Sequence, residues 1–235
     1  MNISGLQKLT LLDFPGRLAA IVFLDGCNFR CPFCQNSSLV LPGENLPSIS
    51  MDEFRRFLKK RSGILEGICI TGGEPTLHKE LPDFLSMIRQ EGYLTKLDTN
   101  GTNPDMLRYL LDNNLLDYVA MDIKAGRDNY AKVSGIAADS PLLARIEQSV
   151  QLLLGSNIDY EFRTTVTGGL HTEDDFHDIA QWIRGCSRYY LQSFRDCEEI
   201  LMENHSFYTF SEEKMNHFLK IVQKEIPQAM LRGIS

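Results

Sequence analysis

The chain has 235 residues, 43% of them hydrophobic, which is enough to bury the core of one α/β domain. A formal net charge of −7 and a pI of about 5.3 exclude a surface basic enough to hold nucleic-acid phosphates or anionic lipid. No run of about 18 apolar residues occurs, and Met1–Thr10 lacks the charged-then-apolar layout of a secretory leader, so the expected location is cytoplasmic, away from any membrane. Three of the six cysteines crowd into Cys27–Cys34, while Cys69, Cys186 and Cys197 lie far apart. In a reducing compartment such crowding points to a metal rather than to disulfides.

The first strand predicted is Leu18–Leu24. Directly after it, Gly26-Cys27-Asn28-Phe29-Arg30-Cys31-Pro32-Phe33-Cys34 spells Cys-x3-Cys-x2-Cys. Iron–sulfur clusters are held by cysteine sulfur, and three thiolates at this spacing can wrap one cubane while leaving one iron open to a ligand from outside the protein. The alternative is a structural zinc site completed by Cys69, His78, Cys186 or Cys197, which fits less well because zinc usually draws its ligands from two separated pairs. Gln35–Ile49, broken by Pro42 and Pro47, reads as an irregular connection. A helix over Met51–Arg61 follows, opened by Ser50 and Glu53 as a box-like cap.

The second strand, Gly67–Thr71, runs into Gly72-Gly73-Glu74-Pro75. Glycines at a strand end permit positive φ and let a ligand approach the backbone, although an ordinary strand-to-helix turn uses the same residues. Cys69 inside this strand reads as a core thiol. After a helix at Leu81–Glu91, the third strand, Leu94–Asp98, ends in Asp98-Thr99-Asn100-Gly101; after a helix at Pro104–Asn113, the fourth, Tyr118–Asp122, ends in Asp122-Ile123-Lys124. Parallel strands would bring both carboxylates to one end of the sheet, where something positive must compensate them. Taken singly, Asn100-Gly101 is also a common turn pair, and Asp122 with Lys124 is also a common surface pair.

A helix at Pro141–Leu154 leads to the fifth strand, Tyr160–Thr165, in which an inward-facing Arg163 needs an anion unless it turns to solvent. The helix Glu173–Arg184, capped by Thr172, the sixth strand, Tyr189–Gln192, and the helix Ser211–Lys224 complete the pattern. Cys186 and Cys197 lack histidine support and read as ordinary thiols. The six β/α units are expected to form a single domain over residues 1–235. They are too few for a closed eight-stranded barrel and leave an open barrel or an open twisted sheet, each with its function at the C-terminal strand ends.

The cysteine loop after the first strand, with Phe33 just before its last cysteine, and the Gly72-Gly73-Glu74-Pro75 segment resemble the radical S-adenosylmethionine (SAM) superfamily. Asp98-Thr99-Asn100-Gly101 paired with Asp122-Ile123-Lys124 resembles the activators of glycyl-radical enzymes. The stretches Gly5–Gly16 and Tyr189–Arg195 resemble single-domain activators of anaerobic ribonucleotide reductase. The resemblance implies an open, partial (β/α)6 TIM-like barrel. It also implies an oxidoreductase whose [4Fe–4S] cluster sits on Cys27, Cys31 and Cys34, with SAM on the open iron. There the reduced cluster cleaves SAM to a 5′-deoxyadenosyl radical that takes hydrogen from a glycine of the partner. Phe33, Asn36, Gly72, Gly73, Glu74, Arg163 and Gln192 would lie at SAM, Glu74 accepting from its ammonium. Asp98 and Asp122, with the carbonyls of Thr99 and Ala120, would bind a monovalent cation, and Lys124 would face SAM or the substrate loop. The implied partners are a glycyl-radical enzyme, in particular anaerobic ribonucleotide reductase, and a low-potential electron donor such as flavodoxin or ferredoxin. The partner would dock at the C-terminal strand face, flanked by Leu11–Arg17 and Gln35–Ile49.

The chain departs from the family pattern in three places. Ala120 stands for a methionine, Gln192 for a histidine, and there is no ferredoxin-like cysteine set between the first two strands, so one cluster is expected. The competing readings are a radical SAM reaction on another peptide or a small molecule, and a non-catalytic metal-binding module.

Overall fold

The computed structural model describes residues 2–40, 48–197 and 200–233. Eight strands, β1 (Ile3–Thr10), β2 (Ala19–Leu24), β3 (Gly67–Gly72), β4 (Leu94–Thr99), β5 (Tyr118–Asp122), β6 (Asp159–Val166), β7 (Tyr189–Ser193) and β8 (Met230–Arg232), hydrogen-bond in chain order as one open sheet. The helices are α1 (Ser37–Val40), α2 (Met51–Arg61), α3 (Leu81–Gln90), α4 (Pro104–Asp112), α5 (Tyr130–Ser134), α6 (Leu142–Leu154), α7 (Glu173–Trp182) and α8 (Glu212–Val222). Strands β2 to β7 and the helices between them are the six β/α units expected from sequence. Strands β1 and β8 and the short helices α1 and α5 were not foreseen. Among the described residues no helix is long and apolar enough to cross a membrane.

Contacts divide the chain into two compact units, residues 1–28, 38–120 and 157–159 in the first and residues 29–37, 121–156 and 160–235 in the second. In the first unit, β1 runs antiparallel to β2, and β2, β3 and β4 are parallel. Val22, Ile70 and Leu97 meet across these three strands and are fully buried. Such near-continuous apolar runs are what a parallel sheet covered on both faces requires. Helix α2 starts where the Ser50 hydroxyl accepts from the Glu53 amide at 3.2 Å, and it turns Phe54 and Leu58 inward. Phe54 meets Phe84 of α3 with ring centroids 5.4 Å apart.

The β1–β2 pairing corrects one expectation. Thr10 lies opposite Ala19, so Leu11–Arg17 joins the N-terminal end of β2, where Arg17 pairs with Glu66 at 2.8 Å. The cysteine loop leaves from Leu24, at the other end of β2, about 17 Å away at the usual strand rise. Leu11–Arg17 therefore does not flank the strand ends that carry the site. Residues 41–47 of the expected Gln35–Ile49 loop lie outside the described residues.

In the second unit, β6, β7 and β8 are parallel neighbours. Phe176 of α7 stacks on Phe218 of α8 with centroids 4.3 Å apart. The three-residue β8 is held by Arg232, whose guanidinium reaches both oxygens of buried Glu161, at 2.9 and 3.1 Å, and covers the ring of Tyr190. Buried Asp175 caps the start of α7, accepting from the Thr172 amide at 2.8 Å, and also holds the Gly126 amide at 3.0 Å. One carboxylate thus fixes both the start of α7 and the loop that leaves β5.

Ile70 occupies the centre of β3 with no exposed surface. Ile70→Ala is expected to cost about 2–5 kcal/mol of stability, read as a lower denaturant midpoint with an unchanged slope.

Candidate functional site

The exits of β2, β3 and β4 are joined by backbone contact. The Gly73 amide donates to the Leu24 carbonyl and the Glu74 amide to the Gly26 carbonyl, both at 2.8 Å. Gly72 has a φ of +119°, and a Cβ added there would sit 2.2 Å from the Leu24 oxygen; one added to Gly73 would sit 1.9 Å from the Gly26 oxygen. Only glycine fits either position. From sequence, these glycines were expected to make room for a ligand, yet the backbone that approaches most closely is the chain's own, at the entrance to the cysteine loop.

This docking buries Glu74 completely. One oxygen accepts from the Thr76 amide at 3.0 Å, the Thr76 hydroxyl at 2.5 Å and the Thr99 hydroxyl at 2.8 Å, and the other accepts from the Asn100 amide at 2.6 Å. Burial raises the pKa of the carboxyl, and the bonds from Asn100, Thr76 and Thr99 oppose that shift. Glu74 is therefore a clamp between the β3 and β4 exits. Asn100 carries the connection further: its Nδ2 donates to Asn28 Oδ1 at 2.9 Å and lies 4.0 Å from Cys27 Sγ. Asn28 in turn donates to the Thr102 hydroxyl at 2.8 Å. Neither Asn28 nor Thr102 was singled out from sequence, because short polar residues beside a motif carry no signal of their own.

On β4, Lys96 has 1% of its side chain exposed and its ammonium is bonded to Asp98 Oδ1. Cys69 Sγ lies 3.7 Å from both groups, and the ammonium stands 5.8 Å from the centroid of the Tyr118 ring. The thiol is buried as expected, but against an ion pair rather than apolar core. The positive charge that Asp98 requires is thus supplied by the chain two residues earlier.

In the second unit, Asp122 receives the Lys124 ammonium at 2.9 Å and Arg163 Nε at 3.0 Å. Burial alone would raise the Asp122 pKa, but Arg163 and Lys124 outweigh it and hold the carboxyl well below the usual range. Burial likewise opposes the charge on Lys124, and Asp122 and Cys31 together overcome it and raise its pKa. The inward-facing Arg163 has found its anion in Asp122. The Lys124 carbonyl, which can only accept, receives His171 Nε2 at 2.7 Å, while His171 Nδ1 accepts the Thr167 amide at 3.0 Å. The Thr167 carbonyl lies 3.2 Å from the same Nδ1, and burial favours the neutral ring. Buried Phe33 packs edge-on against it, with centroids 6.4 Å apart.

The second half of the cysteine loop rests on α5. The Arg30 amide donates to the Ser134 carbonyl at 3.0 Å, Cys31 Sγ lies 3.6 Å from the same oxygen, and a Cβ on Gly135 would meet the Arg30 carbonyl at 2.2 Å. The carbonyls of Cys34 and Pro32 accept from the Leu201 and Met202 amides, each at 3.0 Å. Asn36 is half-buried just before α1. Gln192 is half-buried in β7, between Thr165 of β6 and Arg232 of β8. Thr99 turns its hydroxyl to Glu74, and Ala120 packs in an apolar cluster with Phe14, Ala19 and Tyr118.

Three groups that the sequence implied can be tested against these residues. None of Cys27, Cys31 and Cys34 is tied up in a disulfide, and cysteine sulfur is the donor that an iron–sulfur cluster takes. Of the donors considered for zinc, His78 Nε2 bonds the Asp25 carbonyl at 2.9 Å, Cys69 sits in the Lys96–Asp98 pair, burial pushes the Cys186 thiol up to about 12, and Cys197 is exposed. At Asp98, Lys96 already supplies the positive charge that a monovalent cation would bring, and at Asp122, Lys124 and Arg163 do so.

The profile of the radical SAM superfamily matches residues 21–183, and the chain belongs to that superfamily. It is accordingly an enzyme that uses a [4Fe–4S] cluster and SAM. A Methanocaldococcus jannaschii protein named "Putative glycyl-radical enzyme activating enzyme" is 31% identical over 235 residues, covering 99% of this chain and 96% of its own. A 7-carboxy-7-deazaguanine synthase of Aquifex aeolicus is 38% identical over only 89 residues, covering 37% of this chain and 38% of its own. Among solved structures, a radical SAM methyltransferase from Sphaerobacter thermophilus shares the fold at a TM-score of 0.71 and 18% identity, over 96% of this chain and 68% of that one.

Two outcomes are expected. Glu74→Gln would turn its amide N–H toward the backbone N–H of either Thr76 or Asn100, lowering stability by about 1–3 kcal/mol in thermal or denaturant unfolding. Burial holds the His171 pKa below its ordinary 6.5, so the unfolded chain binds more protons as the pH falls past that value. The stability His171 contributes is complete above pH 6.5 and is lost as pH falls through the lower folded-state pKa. The melting temperature of the wild type should therefore drop more steeply on acidification than that of His171→Gln.

Proposed function

We propose that this chain is the activating enzyme of a glycyl-radical enzyme, with anaerobic ribonucleotide reductase as its target. The observation that carries the activating-enzyme reading is the match to a protein named "Putative glycyl-radical enzyme activating enzyme" over 99% of the chain, and the reductase as target rests on the resemblance of Gly5–Gly16 and Tyr189–Arg195. The strand-end pair Asp98-Thr99-Asn100-Gly101 and Asp122-Ile123-Lys124 supports it. The deazaguanine synthase match favours a second reading, chemistry on a small heterocycle, but it extends over little more than a third of the chain.

In the proposed assignment, Cys27, Cys31 and Cys34, spaced Cys-x3-Cys-x2-Cys in the chain after β2, hold the cluster. When bound, the cluster and SAM supply reductive cleavage and a 5′-deoxyadenosyl radical that takes hydrogen from the partner's glycine. The work of the chain's own residues is to bind, orient and compensate charge. Gly72 and Gly73 seat the β3 exit against the entrance of the cysteine loop, and Glu74, closed off by four hydrogen bonds, acts by holding that segment in place. Its backbone, rather than its carboxylate, is then what the ammonium of SAM would meet. Asp122 against Lys124 and Arg163 leaves one surplus positive charge, which suits the carboxylate of SAM. Phe33, Asn36 and Gln192 complete the proposed surroundings of SAM. The chain would act as a single radical SAM domain, in the cytoplasm, reduced by a donor such as flavodoxin or ferredoxin.

The test is anaerobic reconstitution with iron and sulfide, reduction, and incubation with SAM and anaerobic ribonucleotide reductase. A glycyl-radical doublet on the reductase in electron paramagnetic resonance is expected, together with 5′-deoxyadenosine in equal amount, and Cys31→Ala should reduce both to background. SAM-dependent turnover of a small molecule with no radical on any glycyl-radical enzyme would contradict the assignment.

A further inference from the structure

Lys96 has no part in the assignment above, yet its charged side chain is buried beside a proposed site residue, with 1% of its surface exposed. A lysine is almost never fully buried unless it is paired, because an uncompensated ammonium in the interior is strongly unfavourable. Its position follows from the strand itself. Residues i and i+2 share a face, so a strand carrying Lys96 and Asp98 places the ammonium directly on the carboxylate. Cys69 of the neighbouring strand, 3.7 Å from both groups, and the Tyr118 ring close around the pair. A metal cation arriving at Asp98 would meet a like charge already in contact with that carboxylate. In the other unit, Asp122 carries two side-chain cations of its own, Lys124 and Arg163.

We infer that Lys96 is a built-in counter-ion that takes the place of a bound monovalent cation at Asp98, so that SAM cleavage by this chain requires neither potassium nor sodium. An ammonium is itself a compact monovalent cation that directs hydrogen bonds at carboxylate oxygen, and unlike a dissolved ion it cannot leave. Lys96 is on this view a positioning residue: it fixes the charge and orientation of Asp98 without touching the reacting atoms. The inference rests on the radical SAM reading of the site, and the experiment separates the two.

Reconstituted enzyme is compared in potassium chloride, sodium chloride and choline chloride at equal ionic strength. Three quantities are read: 5′-deoxyadenosine formed, the melting temperature with SAM present, and the thallium resonance of added thallium(I), a potassium mimic. For the wild type, equal rates and melting temperatures in all three salts and no bound-thallium signal are expected. Lys96→Met should lose about an order of magnitude of activity in choline, recover much of it in potassium, and show bound thallium. Loss of activity or stability by the wild type in choline, or a bound-thallium signal on it, would overturn the inference, as would a Lys96→Met enzyme equally impaired in every salt. Should Lys96→Met not fold, the wild-type measurements decide. Should the wild type form no 5′-deoxyadenosine in any salt, the proposed activity fails, and thallium binding still decides the counter-ion.

Discussion

The site depends on a contact between two stretches of backbone that leaves no space for a side chain. Where Gly72 and Gly73 meet Leu24 and Gly26, a single added Cβ would lie far inside van der Waals contact with a carbonyl oxygen, at 2.2 and 1.9 Å. Because the β3 exit is pressed against the entrance of the cysteine loop, Glu74 is carried into the interior. Because Glu74 is there, the ends of β3 and β4 must supply donors, and Thr76, Thr99 and Asn100 do so. Asn100, fixed by that requirement, then reaches Asn28 and the sulfur of Cys27. Remove the tight backbone contact and each later step loses its reason.

Charge compensation follows the same economy. Each carboxylate expected at the strand ends is matched by cations of the chain: Asp98 by Lys96, and Asp122 by Lys124 and Arg163. A buried charge left unpaired would cost several kcal/mol, so these pairs are conditions for folding as well as for chemistry. Lys124 has three connections, to Asp122 through its ammonium, to Cys31 through the electrostatic field and to His171 through its carbonyl. His171 also lies against Phe33 of the cysteine loop, so a neutral histidine far along the chain helps to set both the lysine and the loop.

Much of this was legible in the sequence where the signal is local. The spacing of Cys27, Cys31 and Cys34, the apolar runs of β2 to β7 and the cap at Ser50 all lie within a few residues, and the structure keeps their boundaries to within about two residues, as is usual for helix and strand ends. What was missed is non-local or weakly patterned. Strand β1 mixes Gln7 and Lys8 with Leu6 and Leu9 at an antiparallel edge, and β8 has three residues held by Arg232 on Glu161, a partner 71 positions away. The contact of His171 with Lys124 spans 47 positions and leaves no trace in composition. The Lys96–Asp98 pair is legible in the sequence, because strand alternation puts the two on one face and so sets a positive charge two residues from the carboxylate that needs it.

The central claim is that one loop holds a four-iron cluster with a single iron free for SAM. Mössbauer spectroscopy of protein reconstituted with isotopically enriched iron, recorded before and after SAM is added, tests it most directly. The account predicts the signature of one [4Fe–4S] cluster per chain, with a single iron site changing its isomer shift when SAM binds. A spectrum of isolated thiolate-bound iron, or a cluster whose every iron is indifferent to SAM, would contradict it.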